Sequence, residues 1–366
     1  MTRVEAMSIT RVALTVSVLS SLAVGCGGDR DDFEPWVLDD LTGRDGFSIR
    51  IPEFEVPPGR ESQNCYFMRV PDINEGDDLW IDRVLTAINP GSHHLNVFRV
   101  KTLLGLRPED GVPTSLGAYE GTVVIGSDEY DTHPCWNSAN WADWPLVANS
   151  QNSNVNDLKT DWRLPDQVAI RLTPGEMLMI QTHYVNSSDQ PAKYGARVGI
   201  NFYSYDDPRP PLELGTLFAT QQNIRICRST PEVTYAGTCR FPNAVTITAA
   251  NGHFHKRGTR FTMFPWDGTS TAHPDASTMF YESDSWDHPV MKQDIGVAAP
   301  ANSGIWWDCQ YRWHQPNLFS CDDVNEKDPL QENDCCYTFG GNTDVGEHCN
   351  VFLYFYPKID SDVFCL

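Results

Sequence analysis

Positive charge is what this sequence has least of. Lys and Arg total 27 against 49 Asp and Glu, a formal net charge of −22, and no basic stripe interrupts the acidity. A phosphate backbone would be repelled by such a chain, which excludes nucleic acid as a partner and leaves the acidity to serve solubility. Also missing are any long segment with helical period, any obvious internal repeat and, beyond residue 45, any low-complexity tract. What remains, over 366 residues that are 40% apolar and 11% aromatic, is enough for two ordinary domains with packed cores.

The N-terminus reads MTRVEAMSITRVALTVSVLSSLAVGCGGDRDD, in which Arg3 and Arg11 precede a short apolar run, Val12 to Val24. That run is too short to span a membrane and has the form of a secretory signal, residues 1–25. The stretch AVGC resembles a bacterial lipobox with Cys26 as the lipidated first residue of the mature chain, although Ala23 stands where that pattern prefers Leu. A plain signal-peptidase site nearby is the alternative. Lipidation would attach an exported protein to a membrane, in the periplasm or at the cell surface, without spanning it. Cysteine arithmetic agrees, because setting Cys26 aside from the 11 cysteines leaves ten, which allows five disulfides. Cys65 and Cys135 lie in the first half and the other eight from Cys227 onward, so the halves are expected to be stapled separately.

An acidic tether, residues 26–45, leads into short runs such as LWIDRVLTAI, LNVFRV, QVAIRL, MLMIQTHYV and ARVGINFY, separated by Pro, Gly, Asn and Asp. Short β-branched and aromatic segments with frequent turns predict an all-β protein of the sandwich type. YDDPRPPLELG reads as a linker, since its prolines would interrupt a central strand. The expected architecture is therefore two tandem β-sandwich domains, residues 46–205 and 206–366.

Histidine is scarce, ten residues in all, and six of them fall in four short elements. His93 and His94 head the run in NPGSHHLNVFRV, and alternation along a strand would send them to opposite faces. His253 and His255 in NGHFHKRG are two apart, so a strand would present both imidazoles on one face, a spacing that suits a metal ion. His183 in EMLMIQTHYVNSS shares a face with Met179 and Gln181, and His348 in GEHCNVFLYFY stands beside Cys349. Each element taken alone also suits a hydrogen-bonded strand residue. The remaining histidines, His133, His273, His288 and His314, read as loop residues, and Trp306, Trp307 and Trp313 as packing.

In this order, His-His, QTHY, His-x-His and a ligand-Cys-Asn before an aromatic strand, the four elements resemble the copper type II, ascorbate-dependent monooxygenases, which include peptidylglycine α-hydroxylating monooxygenase and dopamine β-monooxygenase. The resemblance runs from about Gly46 to Tyr356 and takes in LTPGEMLMIQTHYVN and GIWWDCQY as strand contexts. It implies two copper ions. His93, His94 and His183 would hold the electron-storing copper of the first domain, and His253, His255 and His348 the oxygen-activating copper of the second. It further implies insertion of one oxygen atom from dioxygen into a C–H bond of a small substrate between the domains, with electrons from ascorbate or another one-electron reductant. By the same resemblance Cys309 pairs with Cys349, one of Cys227 or Cys239 is a candidate partner for Cys365, and Cys65 and Cys135 are the only candidates for a disulfide in the first domain. Cys335 and Cys336 are expected to be two partners in a loop staple with Cys321, the alternative being a thiolate copper site.

The sequence departs from the family at two places. The oxygen-activating copper usually has a methionine directly before the Cys-Asn pair, where this chain has His348. Thioether sulfur favours Cu(I) and imidazole holds Cu(II) better, so three readings stand: a monooxygenase of altered potential, a copper-binding protein without oxygenase activity, or a site reached by Met263, Met279 or Met291. Peptide-amidating members carry an arginine and a tyrosine where this chain has Asn251 and Phe352, while the asparagine is kept as Asn350. Asn251 cannot clamp a carboxylate with two charged hydrogen bonds, so the expected cleft is neutral and aromatic. A zinc hydrolase is a more distant alternative, because no carboxylate base stands out in these motifs.

Overall fold

The computed structural model describes residues 38–365 apart from 89, 103–120, 124–143, 151–158, 195–198, 208, 210 and 360–362. The signal, Cys26, Cys135 and His133 lie outside the described residues, as does most of the tether. The chain is all-β, with a single short α-helix, Cys321–Lys327, among the described residues. That helix is closed by a capping box in which Ser320 and Asp323 satisfy each other's backbone N–H. No described helix is long and apolar enough to cross a membrane.

Two sheets carry most of the N-terminal half. One has the order Gly46–Arg50, Gly199–Ser204, Leu79–Ala87, Val168–Leu172, Leu212–Glu213, with Lys159–Arg163 also paired to Leu79–Ala87. The other has the order Gly121–Val123, Arg60–Arg69, Met177–Asn186, Ser92–Arg99, Leu146–Ser150. Val84, Ile170 and Phe202 of the first and Phe67, Val97 and Ile180 of the second belong to one buried apolar cluster. In the C-terminal half a five-stranded sheet runs Val297–Ala299, Val245–His253, Asn350–Tyr356, Gly215–Thr220, Val363–Cys365, and a four-stranded one runs Glu232–Arg240, Gly304–Arg312, Gly258–Trp266, Tyr281–Ser283. Their apolar side chains, Ile247, Leu353, Phe261 and Trp307 among them, fill a second cluster.

The halves meet through apolar surface. Phe218, Phe352 and Tyr354 of the C-terminal half join the first cluster, and the rings of Trp162 and Tyr354 lie 4.4 Å apart. Burying such surface is the main favourable term for holding β layers together, and here it fixes the distance between the two histidine-bearing sheets. Covalent ties are concentrated in the C-terminal half: Cys309–Cys349, Cys239–Cys365, Cys227–Cys336 and Cys321–Cys335. Cys65 is disulfide-bonded. With Cys321, Cys335 and Cys336 all bonded to sulfur, no thiolate is left for a metal there, which corrects the thiolate alternative.

A candidate metal centre of six histidines

Local strand geometry decides where each imidazole goes. Met177–Asn186 is the central strand of its sheet, so His183 is flanked on both sides and sits opposite His94 in the ladder. On the His-His strand, Ser92 pairs with Tyr184 and His94 with His183, leaving His93 as an extra residue with no ladder partner. That is a β-bulge, and a bulge re-aims side chains that strict alternation would separate. The expectation that His93 and His94 point to opposite faces is therefore corrected. Both are buried, and their rings stand 5.5 Å apart.

The His-x-His pair straddles the end of Val245–His253. Phe254 between them turns the other way, into the second core, where it stacks on Phe261. Gly258 leaves room for that ring, since a Cβ there would stand 1.9 Å from Phe254. His255 lies just past the strand and is held by its backbone, whose N–H donates to the Glu347 carboxylate at 2.9 Å. His348 links Gly346–Glu347 to Asn350–Tyr356, with the Tyr311 hydroxyl donating to its carbonyl and Cys349 tied to Cys309.

These pieces converge on one place. None of the six rings is more than 6% exposed. Ring centroids lie 5.1 Å apart for His94 and His183, 5.3 Å for His253 and His255, and 4.3 Å for His255 and His348. His93 stands in the middle, 5.1 Å from His183, 4.6 Å from His253 and 5.3 Å from His255. Ring nitrogens of His93, His94 and His183 lie within 4.8 Å of one another, and so do those of His93, His253 and His255. Both sets could hold a metal ion.

The hydrogen bonds fit that use. His94 Nε2 donates to Gln181 Oε1 at 3.2 Å, while its Nδ1 is buried without a partner. His255 Nδ1 donates to the Gly346 carbonyl at 3.2 Å, while its Nε2 is buried without one. Both ring nitrogens of His93 are buried and unpartnered. Anchoring one nitrogen on an oxygen and leaving the other bare is how proteins present imidazole to metals, and a bare buried nitrogen otherwise costs about 1–3 kcal/mol. His183 Nε2 meets Glu61 Oε2 at 2.9 Å, and Glu61 is itself bonded by the Thr343 hydroxyl from the other half of the chain.

The electrostatics favour neutral imidazole. Burial, reinforced by neighbouring histidines, holds His93, His253 and His255 well below the usual value. Burial does the same for His94, and it brings His348 down to about 3. Neutral imidazole is the form that coordinates. Burial pushes the Glu347 carboxyl up to about 7 against the opposing pull of Arg257.

The expected substrate residues divide. Asn350 and Phe352 line a cavity of about 20 Å³ with His94, Gln181, His253 and His348. Asn251 does not line it, because its amide donates to the Val290 carbonyl at 3.1 Å and accepts from Asn149 at 3.4 Å. Met263 is packed in the second core and Met291 in the first. His273 and His314 are loop residues, bonded to Asp308 at 2.6 Å and to the Lys256 carbonyl at 3.0 Å. Sequence reasoning missed Glu61, Thr343 and Glu347 as supports of the cluster. The one available signal was that Glu347 adjoins His348, for nothing in the sequence links Glu61 to His183.

No protein-family model matches the chain, and no curated protein matches it. Among solved structures, the chain aligns with one described as "Structure of infectious bursal disease virus Gx strain" at 10% identity, over 89% of this chain and 80% of that one, with a TM-score of 0.16. A likeness of that strength carries no argument about fold or function. The class defined by fold and site is an all-β protein with a buried histidine cluster able to hold metal.

Proposed function

We propose that the protein is an exported, copper-dependent monooxygenase built from two tandem β-sandwich domains, tethered to a membrane through a lipid on Cys26. It would hydroxylate a C–H bond of a small organic substrate: R–H + O₂ + 2 e⁻ + 2 H⁺ gives R–OH + H₂O, with ascorbate or another one-electron reductant supplying the electrons. The observation that carries the reading is the convergence of six buried histidines, with bare nitrogens on His93, His94 and His255. Imidazole donors suit both oxidation states of copper, and the motif order resembles the copper type II, ascorbate-dependent family. Copper, when bound, supplies one-electron exchange and dioxygen reduction.

The chain's own residues supply the rest. Gln181 and the Gly346 carbonyl orient the rings of His94 and His255. Phe218, Phe339 and Phe352 wall the cavity against bulk water, and Asn350 places a polar group within it. The room of about 20 Å³ accepts roughly one water molecule, so a carbon substrate requires the walls to part.

That small volume, together with His348 at the place of the usual methionine, favours a second reading. In it, an exported copper-binding lipoprotein keeps the fold without oxygenase activity. Oxygen uptake by the copper-loaded protein with ascorbate, scanned over neutral aromatic and amine substrates with product quantified, separates the two. Uptake matched mole for mole by hydroxylated product supports the enzyme. Uptake no greater than that of free copper, on a protein that retains its copper, supports the binder.

A further inference from the structure

We propose that His93, His253 and His255 together form one metal site that spans the two halves of the chain, so that a bound ion of the imidazole-preferring class, copper or zinc, clamps the halves together. The proposal deepens the metal reading of the histidines and rests on it, but it uses no oxygen chemistry. It also cuts across the two triads implied by motif order, which assign His93 only to His94 and His183.

Three observations carry it. The first is proximity, since nitrogens of His93, His253 and His255 lie within 4.8 Å of one another and the ring centroid of His93 is nearer to that of His253, at 4.6 Å, than to those of His94, His183 or His255. The second is supply. His93 has two bare, buried nitrogens and His255 has one, Nε2, so the set offers donors that the fold has left unused on both sides of the seam. The third is backbone aim. The bulge that frees His93 from the ladder points it across to the strand Val245–His253, where strict alternation would have kept one member of the His-His pair off this face.

The arrangement of His348 agrees. Its Nδ1 stands 3.2 Å from His253 Nε2, and its ring is against both His255 and Phe339, the latter at 4.7 Å. His348 therefore packs behind the pair, while His93 meets the pair from the opposite half. An ion at His93, His253 and His255 has three neutral donors from two polypeptide segments about 160 residues apart, and its binding energy becomes a term holding those segments together.

The test uses zinc as a redox-silent probe on the full mature chain, with affinity read by competition with a chromophoric chelator. His93→Ala and His255→Ala should each lower the zinc held against the chelator by one equivalent, and the double variant should lose no second equivalent, because both residues ligate the same ion. Loss of two equivalents in that double variant, with His93→Ala and His94→Ala together losing only one, would overturn the spanning site and leave two separate triads. A wild-type measurement guards against misfolded variants. The first equivalent of zinc should slow amide exchange in Ser92–Arg99 and in Val245–His253 together, and protection of one strand alone would also overturn the proposal. A wild-type chain that binds no zinc or copper at all would remove the metal reading itself.

Discussion

The strand Met177–Asn186 and the connector around His348 deliver histidines to the same cluster by different means. His183 sits in the middle of a sheet, its backbone paired with a strand on each side, and His94 is registered against it residue for residue. On the other side, His255 and His348 lie at the end of one strand and before the start of another, where the ladder does not hold them. There the Glu347 carboxylate receives the backbone N–H groups of His255 and Arg257, at 2.9 and 2.8 Å, and a disulfide fixes Cys349. A histidine inside a sheet is positioned by main-chain hydrogen bonds that any sequence could make. A histidine at a strand end needs dedicated side chains, so the second region is the more fragile under point substitution.

Acid should strain both regions, with the largest expected effect. Five of the six histidines, two from the first region and three from the second, have folded pKa values below the unfolded value. Above about pH 6.5 they are neutral in both states and cost nothing. As pH falls below that, the unfolded chain takes up protons that the folded chain refuses, and stability drops by up to about 1.4 kcal/mol per pH unit per group. Glu347, raised to about 7, works the other way, since the folded chain holds a proton that the unfolded chain releases between the ordinary glutamate value and 7. Five groups outweigh one, so the melting temperature of the metal-free protein should fall steadily from pH 6.5 downward. A flat profile between pH 7 and 5 would contradict the neutral, buried cluster.

Next in size is Glu347→Ala, which leaves two backbone N–H groups unsatisfied beside the buried Arg257. A loss of about 3–5 kcal/mol is expected in denaturant unfolding. Gln181→Ala in the first region, which removes the oxygen that accepts from His94 at 3.2 Å and from Asn96 at 3.4 Å, should cost about 1–2 kcal/mol. Equal losses at the two positions would erase the contrast between ladder-held and carboxylate-held histidines.

The smallest effect sharpens the comparison at the seam. Thr343→Val removes the hydroxyl that bonds Glu61, the carboxylate partner of His183, across 282 residues of sequence. About 1 kcal/mol should be lost, and amide exchange should quicken on the strand Arg60–Arg69 as well as around Thr343. Faster exchange confined to residues near Thr343 would mean that Glu61 holds His183 without help from the Thr343 hydroxyl.

The sequence by itself determined the all-β class, through short β-branched runs and turn residues. It also marked six histidines in four strand contexts as candidates, and the family resemblance of those motifs implied the Cys309–Cys349 pairing that the structure contains. Those features are local, or follow from motif order, and need no knowledge of which strands are neighbours. Only the tertiary structure decided that the six imidazoles share one buried site with His93 at its centre. It alone placed Asn251 outside the cavity and joined Glu61 to both His183 and Thr343. The reason is physical: a one-residue bulge and an apolar seam between halves set those distances, and both depend on which distant strands pack together, which no local pattern encodes.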